Sequence, residues 1–482
     1  MAKAKTPSYV LELELQVNKR QRDFLEKKMR IAKAIYNTCL GEALKRLKAV
    51  RADKTYRELV AEKGGVDRVK ALRGIELAYG YSEYQLHAFV VASKHHFGSL
   101  GIDECQKLAT RAFQAVEKIN YGQADRVHFK SQLDNISIEG KSNNSTIKRK
   151  EGYITFGRGN VFDYLLKPND VYAHLALMDR TKYCRIIRRE IRGKQRYFVQ
   201  FVQEGYPPQK RNRKLIAEDN LRVGLDIGTS TIAIVSDERV TLRELAPEIN
   251  EDAKELRRIE RAMDRSKRAT NPDNFKENGV AKIGARWIFS KRYLKLKAKR
   301  KDRHRKIARK RKQAHEQLAN DILALGSDIR VETMRFQSLQ KRAKKTTRNK
   351  QNGKINKKKR FGKSIQVHGP ALLLEIVARK LGYQNRPLQK IDTCATKASQ
   401  FNHATGEYTK KQLNERWNAD ILGVPIQRDL YSGFLIGNTT DSLDSVDVDL
   451  CNRKWENFVK LHSQEVERLR CSQSKTLRWF VA

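Results

Sequence analysis

The chain has 482 residues and carries 100 Lys and Arg against 55 Asp and Glu, a net charge of +45. That length accommodates two or more hydrophobic cores, and no stretch approaches the roughly 20 uninterrupted apolar residues of a membrane helix. So much positive charge repels itself, and a polyanion is the partner that offsets it. A membrane surface would ask instead for amphipathic helices with an apolar face, which the basic runs lack. The opening MAKAKTPSYVLELEL has neither an apolar core nor a small-residue cleavage site, so a cytoplasmic protein is expected. Cys39, Cys105, Cys184, Cys394, Cys451 and Cys471 lie far apart without a CxxC or CxH pair, which speaks against a disulfide framework or a zinc site.

Residues 8–17, SYVLELELQV, alternate apolar and polar and predict a strand. From Asn18 the spacing turns helical, with Phe24, Leu25, Met29, Ile31, Ala32, Ile35, Tyr36 and Leu40 on one stripe. Helices continue to about Lys118, broken at Gly64–Gly65 and Gly98–Ser99. Between Val127 and Val202 short strands are expected at Gly152–Phe156, His174–Leu177 and Arg196–Val202, with a turn over Lys141–Ser145. Pro207–Pro208 and the following KRNRK mark a boundary. A second unit opens at Leu221–Ser236 as strand, Gly-Thr-Ser turn and strand. Residues 282–312 hold 16 Lys and Arg and one Asp and read as a helix. Ile329–Met334 predicts a strand, and 341–363, with 12 Lys and Arg and no acid, a mobile loop. Pro370 and Gly382 frame one further helix. Asp441, Asp444, Asp447 and Asp449 then begin an acidic stretch that turns helical.

Three acids stand out. Asp226 in VGLDIGTSTIAIVSD lies within an apolar strand, where Asp is disfavoured; a bound metal or a cap on the Gly228–Ser230 turn would compensate for it. Glu332 in IRVETM is again an acid in a strand, either a ligand or an outward-facing residue. Asp429 in PIQRDLYSGFLIGN sits just ahead of a short apolar helix, as a ligand or to offset the helix dipole. Taken together, strand Asp, strand Glu and helix-start Asp are what divalent ions need to activate water and stabilise the leaving oxygen of a phosphodiester.

With these residues in view, the chain resembles the RuvC-like nuclease domain of the transposon-encoded TnpB proteins and of the related type V CRISPR effectors. LELELQVNKRQRDFLEKKMRIAKAIYNTCL is similar to the family's opening strand and recognition helix, with its Tyr-Asn pair at Tyr36–Asn37. TRAFQAVEKI and VHFK resemble the return from the recognition lobe, RYFVQFVQEG the last wedge strand, and the basic 282–312 run the bridging helices. TKASQFNHATGEYTKKQLNERW resembles the target-nucleic-acid-binding insert, with Ser399–Gln400 and Arg416–Trp417 at recurring positions.

The resemblance implies an α+β multidomain, two-lobed fold: a wedge β-barrel with a helical recognition insert, and a ribonuclease H-like (RuvC) α/β nuclease domain with a small insert. The segments would be a wedge strand at 1–15, the recognition lobe at 16–125, the wedge barrel at 126–215 and the nuclease with its bridging helices at 216–390. The target-nucleic-acid-binding insert would follow at 391–425, the third RuvC motif at 426–440 and a C-terminal tail at 441–482. It implies an RNA-guided DNA endonuclease of a prokaryotic cell, acting as a monomer on double- and single-stranded target DNA. Its guide RNA would be transposon-derived or a CRISPR RNA. Mg²⁺ or Mn²⁺ would bind at the catalytic Asp226, Glu332 and Asp429. Nucleic-acid contacts are expected from Lys291, Arg292, Lys295, Lys299, Arg303, Lys306, Arg309, Ser399, Gln400 and Arg416. Where family members carry four zinc cysteines, this insert has Phe401, Asn402 and His403, so no structural zinc is expected. Packing around Trp417 would hold it, with His403 at the surface or on nucleic acid.

Other readings use the same residues. GLDIGTSTIAIV also resembles the first phosphate motif of sugar kinases and actin-like ATPases, but a second DxGG-type motif and a Gly-rich adenosine motif are missing. A nuclease-inactive RNA-guided repressor would have lost acids that stand here. An unguided basic transposition-associated DNA-binding protein would share the charge alone.

Overall fold

The computed structural model describes residues 6–62, 64–93, 98, 100–208, 217, 220–277, 279–341, 347, 349, 361–410, 412 and 415–482. KRNRK at 210–214, Ser99 and most of the 341–363 run lie outside the described residues. The chain divides into two compact units, Met1–Arg211 and Asn212–Ala482. Among the described residues no helix is long and apolar enough to cross a membrane.

The first unit begins with β1 (Ser8–Gln16), which turns Tyr9, Leu11, Leu13 and Leu15 inward at every second position. Helices α1 (Lys19–Ala52), α2 (Lys54–Ala61), α3 (Val66–Ala78), α4 (Glu83–Ser93) and α5 (Ile102–Asn120) follow. Asn18 and Gln21 form a reciprocal capping box that starts α1. Next come β2 (Ser137–Glu139), β3 (Ile147–Arg149), β4 (Tyr153–Phe156), β5 (Val161–Tyr164), α6 (Val171–Met178), β6 (Thr181–Ile191) and β7 (Lys194–Glu204). The strands form one antiparallel sheet in the order β2-β6-β7-β1-β5-β4-β3. Arg149 at the β3 end donates to Thr181 Oγ1 at 2.8 Å, so the sheet curls back toward β6. The Tyr36–Asn37 pair anchors α1 to the returning chain: Asn37 exchanges two hydrogen bonds with the Lys130 backbone, and the Lys130 ammonium lies over the Tyr36 ring.

One predicted strand is a helix. His174–Leu177 falls within α6, because Asp170 caps it by accepting from Ala173 N and only Ala173 and Ala176, three apart, are buried.

The second unit holds β8 (Arg222–Ile227), β9 (Thr231–Val235), β10 (Val240–Glu244), α7 (Asn250–Thr270), α8 (Lys291–Leu323), β11 (Asp328–Glu332), α9 (Phe336–Gln340) and α10 (Gly362–His368). It continues with α11 (Pro370–Gly382), β12 (Gln389–Ile391), α12 (Thr393–Thr396), β13 (Trp417–Ile421), β14 (Val424–Gln427), α13 (Arg428–Gly437), α14 (Val448–Arg470) and α15 (Lys475–Trp479). Its five-stranded sheet has the order β10-β9-β8-β11-β12, with β8, β9 and β10 antiparallel and β11 and β12 parallel to β8. Strand alternation sorts the two faces. Val223, Leu225, Ile227, Ile329 and Val331 pack under α8 and α11 with Leu318, Ile322, Leu373 and Val377. Ala233, Val235, Val240 and Leu242 belong to the core of α13 and α14 on the other side.

The basic helix starts at Lys291 rather than near residue 282. Ser290 caps it by accepting from Tyr293 N, and Asn271 exchanges two hydrogen bonds with the Ile288 backbone, holding the preceding segment off the helix. The acids after Thr440 serve structure. Asp441 pairs with Arg222 at 2.7 Å and Arg330 at 3.2 Å, Asp444 accepts from the Ser442 and Ser445 hydroxyls, and Asp447 caps α14. Helix α14 in turn covers the β10 edge, where Glu465 accepts from Leu242 N at 2.7 Å.

His403, expected at a surface, is buried. Its Nδ1 lies 2.7 Å from the Tyr431 hydroxyl, and its ring packs on Trp455 at 4.8 Å. His462, also buried, accepts from Gln427 N through Nε2 at 3.0 Å. Burial lowers both imidazoles to about 4, so the fold holds them neutral. The unfolded chain therefore binds more protons between about pH 6.5 and pH 4, and stability falls as pH drops through that window. Each histidine contributes up to roughly 3 kcal/mol at the acid end. Thermal melts over this range should show the loss, and a His403→Gln/His462→Gln variant should show a flatter profile. An unchanged slope would place the acid sensitivity elsewhere.

Candidate active site

Strands β8 and β11 run parallel with Leu225 opposite Val331, so the next pair in register is Asp226 and Glu332. Both acids stand at the carboxyl ends of their strands, where open α/β sheets bind ligands. Alternation turns them away from the α8 side, onto the face that also carries Gly224 and Arg330. The Gly228–Ser230 turn is closed by its own backbone, Gly228 N donating to Thr231 O at 2.9 Å, and Asp226 takes no part in it.

The third acid arrives on α13, where Asp429 is the second helical residue rather than a residue ahead of the helix. Four and eight positions later, on the same side of the helix, stand Gly433 and Gly437. A Cβ added to Gly224 would sit within 2.5 Å of Gly437 N and closer still to Gly433 O. One added to Gly433 would lie 2.9 Å from Val235 Cγ2. Helix and strand thus meet backbone to backbone, and that approach carries Asp429 toward Asp226. Beyond Gly437, Arg330, only 3% exposed, donates to Thr440 O at 3.1 Å and pins the chain leaving the helix. The three glycines and Arg330 were missed in the sequence, although Gly224 two before Asp226 and glycines four and eight after Asp429 are a readable signal.

Burial pushes the Asp226 carboxyl well above the usual range; Asp429 and then Glu332 add to it, against the opposing charges of Arg428 and Arg416. Burial raises Glu332 as well. Asp429 is held by residues at the ends of hairpin β13–β14 and the start of α13: Arg416 and Arg428 each 3.4 Å from one of its oxygens, and Gln427 Nε2 at 3.1 Å. The Arg416 guanidinium lies over Trp479 at 4.2 Å and Phe480 at 4.5 Å.

Three crowded carboxylates, two of them resisting ionisation, are a donor set whose chemistry fits Mg²⁺ or Mn²⁺. Among the described residues no three His, Cys, Asp or Glu side chains stand as a closed metal site, and Asp429 is engaged by Arg416 and Arg428.

The remaining predicted residues fall in two places. On α8, Lys291, Arg292, Lys295, Lys299 and Arg309 are exposed, and Arg303 and Lys306 are partly buried. Lys299 pairs with Glu255 at 3.3 Å, Arg303 with Asp252 and Glu255, and Lys306 with Asp302 at 3.5 Å. Part of that basic charge therefore holds α7 against α8. In the insert, Ser399 is exposed and Gln400 partly buried on the turn before Phe401, which pairs with Tyr408. Trp417 packs edge-on against His462 at 6.4 Å.

No family model and no curated protein matches the chain. Among solved structures it is similar to a Cas12f1–sgRNA–target DNA complex, at 10% identity and a TM-score of 0.47 over 90% of this chain and 99% of that one. A CRISPR-Cas12f ternary complex is similar at 10% identity and a TM-score of 0.27, over 88% of this chain and 86% of that one. Likeness at this level leaves function to the residues of the chain itself.

Proposed function

We propose that the chain is an RNA-guided DNA endonuclease that hydrolyses phosphodiesters at a single RuvC-like site. The observation that carries this reading is the side-by-side placement of Asp226 and Glu332 on one sheet face, with Asp429 brought toward Asp226 on α13, in a chain of net charge +45. The mixed sheet, three antiparallel strands joined to two parallel ones, supports a ribonuclease H-like nuclease domain. The antiparallel sheet and helices of the first unit would form the wedge and recognition parts that hold the guide scaffold and a short motif beside the target. Guide pairing would supply most of the sequence specificity.

Asp226, Glu332 and Asp429 would hold Mg²⁺ or Mn²⁺, which when bound supplies water activation and charge stabilisation at the leaving oxygen. Arg416 and Arg428 are placed to meet a phosphate once Asp429 turns away from them. Lys291, Arg292, Lys295 and Arg309 would bind backbone phosphates, and Ser399 and Gln400 the incoming strand.

The test is sequencing of the RNA that copurifies, followed by cleavage assays on a matching duplex. One scaffold joined to a guide, cleavage stopped by EDTA and affinity falling steeply with salt are expected. Heterogeneous RNA and a flat salt response would overturn the reading. The arginine pairing of Asp429 favours one alternative, an RNA-guided binder without cleavage, which would bind the matched duplex yet leave it intact in saturating Mn²⁺.

A further inference from the structure

Between α7 and α8 the chain presents an exposed apolar tip. Ile283 is fully exposed, Ile288 is 68% and Leu294 50% exposed, and Phe289, 42% exposed, stacks on Tyr293 with ring centroids 4.6 Å apart and planes at 15°. The segment is well fastened beneath. Buried Asn271 holds both backbone groups of Ile288, Asn274 donates to Arg286 O at 2.8 Å, and the Ser266 and Ser290 hydroxyls meet at 2.9 Å. Trp287 lies under the Lys267 ammonium at 3.4 Å and packs edge-on against Phe275. A staple at this helix start would pair Phe289 with Leu294, one before and four after the Ser290 cap. It would account for neither the stack of Phe289 on Tyr293 nor the exposed Ile283 and Ile288.

Exposed apolar groups gathered in one hydrogen-bonded segment mark an interaction surface. The charge around them selects the partner: Lys282, Arg286, Lys291, Arg292 and Lys295 are all exposed beside the tip. A second copy of this tip would bring the same cations against these. A partner with negative charge and flat apolar faces satisfies both features, and unpaired nucleobases on a phosphate backbone have that chemistry. We infer that the Phe289–Tyr293 tip is a stacking platform for the bases of a single-stranded nucleic-acid segment, with the flanking Lys and Arg on its phosphates. This rests on the nucleic-acid reading above and adds to its phosphate contacts a surface that engages bases.

The experiment compares the full chain, with its copurified RNA, on two single-stranded DNAs of equal length and charge. One carries bases without complementarity to that RNA, and the other is abasic over its central half. Wild type should bind the base-bearing strand about fivefold or more tighter. Phe289→Ala should remove most of that preference while keeping the salt dependence, and Phe289→Trp should keep the preference. Melting temperatures of both variants should stay close to wild type, since Phe289 is 42% exposed and lies outside the buried cores. A preference that survives Phe289→Ala, or is fully kept by Phe289→Leu, would overturn the platform. Wild-type self-association abolished by Phe289→Ala would assign the tip to a second copy and overturn it equally. Failure of the underlying reading looks different: neither strand would bind with a salt-dependent affinity.

Discussion

Asp226→Asn is expected to abolish cleavage of a guide-matched duplex, by at least about 10³-fold, while leaving its binding within a few-fold of wild type. The same substitution should stabilise the metal-free protein. Burial and the neighbouring Asp429 and Glu332 raise the Asp226 carboxyl above its unfolded value. A carboxyl raised in this way favours folding at low pH and loses that contribution as pH rises through its folded pKa. At neutral pH the side chain therefore costs stability, as a buried charge or through the proton it must take up, and Asn removes that cost, on the order of 1–3 kcal/mol. Melting curves with EDTA should show the gain. Added Mn²⁺ should stabilise wild type and have little effect on Asp226→Asn, because binding to the native state alone raises apparent stability. Cleavage retained by the variant would remove Asp226 from the site. An unchanged or lower melting temperature in EDTA would show that the three acids do not crowd one another.

The second large effect belongs to a residue without a side chain. Gly224→Ala places a methyl group against the backbone of Gly433 and Gly437, and backbone cannot swing aside as a flexible side chain does. Helix α13 must move off β8, at a cost of roughly 1–3 kcal/mol. Asp429 moves with it, and a 1 Å misplacement of a reacting group costs about 10²-fold in rate. Molecules that remain folded should thus cleave about a hundredfold more slowly, with guide RNA still bound. Gly74→Ala in α3 is the control, since its Cβ meets nothing within 4 Å and mid-helix Ala is favoured over Gly by about 0.5–1 kcal/mol. Denaturant titrations and single-turnover cleavage separate the two consequences. Wild-type rates in Gly224→Ala would show that close contact between α13 and β8 does not position Asp429.

Much of this architecture was legible in the chain because its signals are local. Period-two alternation marked β1 within a residue, since one of its faces is buried, and apolar runs bounded by turn residues placed β7, β8 and β11 within a residue or two. The apolar stripe of α1 and the proline at the head of α11 were equally plain. The reading failed where a short segment fits two periods. HLAL alternates like a strand, and only the cap at Asp170 and the burial of Ala173 and Ala176 make it a helix. The basic helix was started too early because charge composition carries no boundary, whereas the Ser290 cap and Asn271 do.

Charge, the break between the two units, most strands and helices and the three acids were readable from residue type and near-neighbour spacing. Tertiary structure decided the rest. Asp226 and Glu332 become neighbours only through the parallel β8–β11 register, and Asp429 joins them only because Gly224, Gly433 and Gly437 let two backbones touch. His403 passes from an expected surface residue to the centre of an aromatic core formed with Tyr431 and Trp455, which lie 28 and 52 positions away in the chain. The physical reason is common to all three: burial, pKa and close approach depend on what packs against a residue across the fold, and a single sequence does not state those partners.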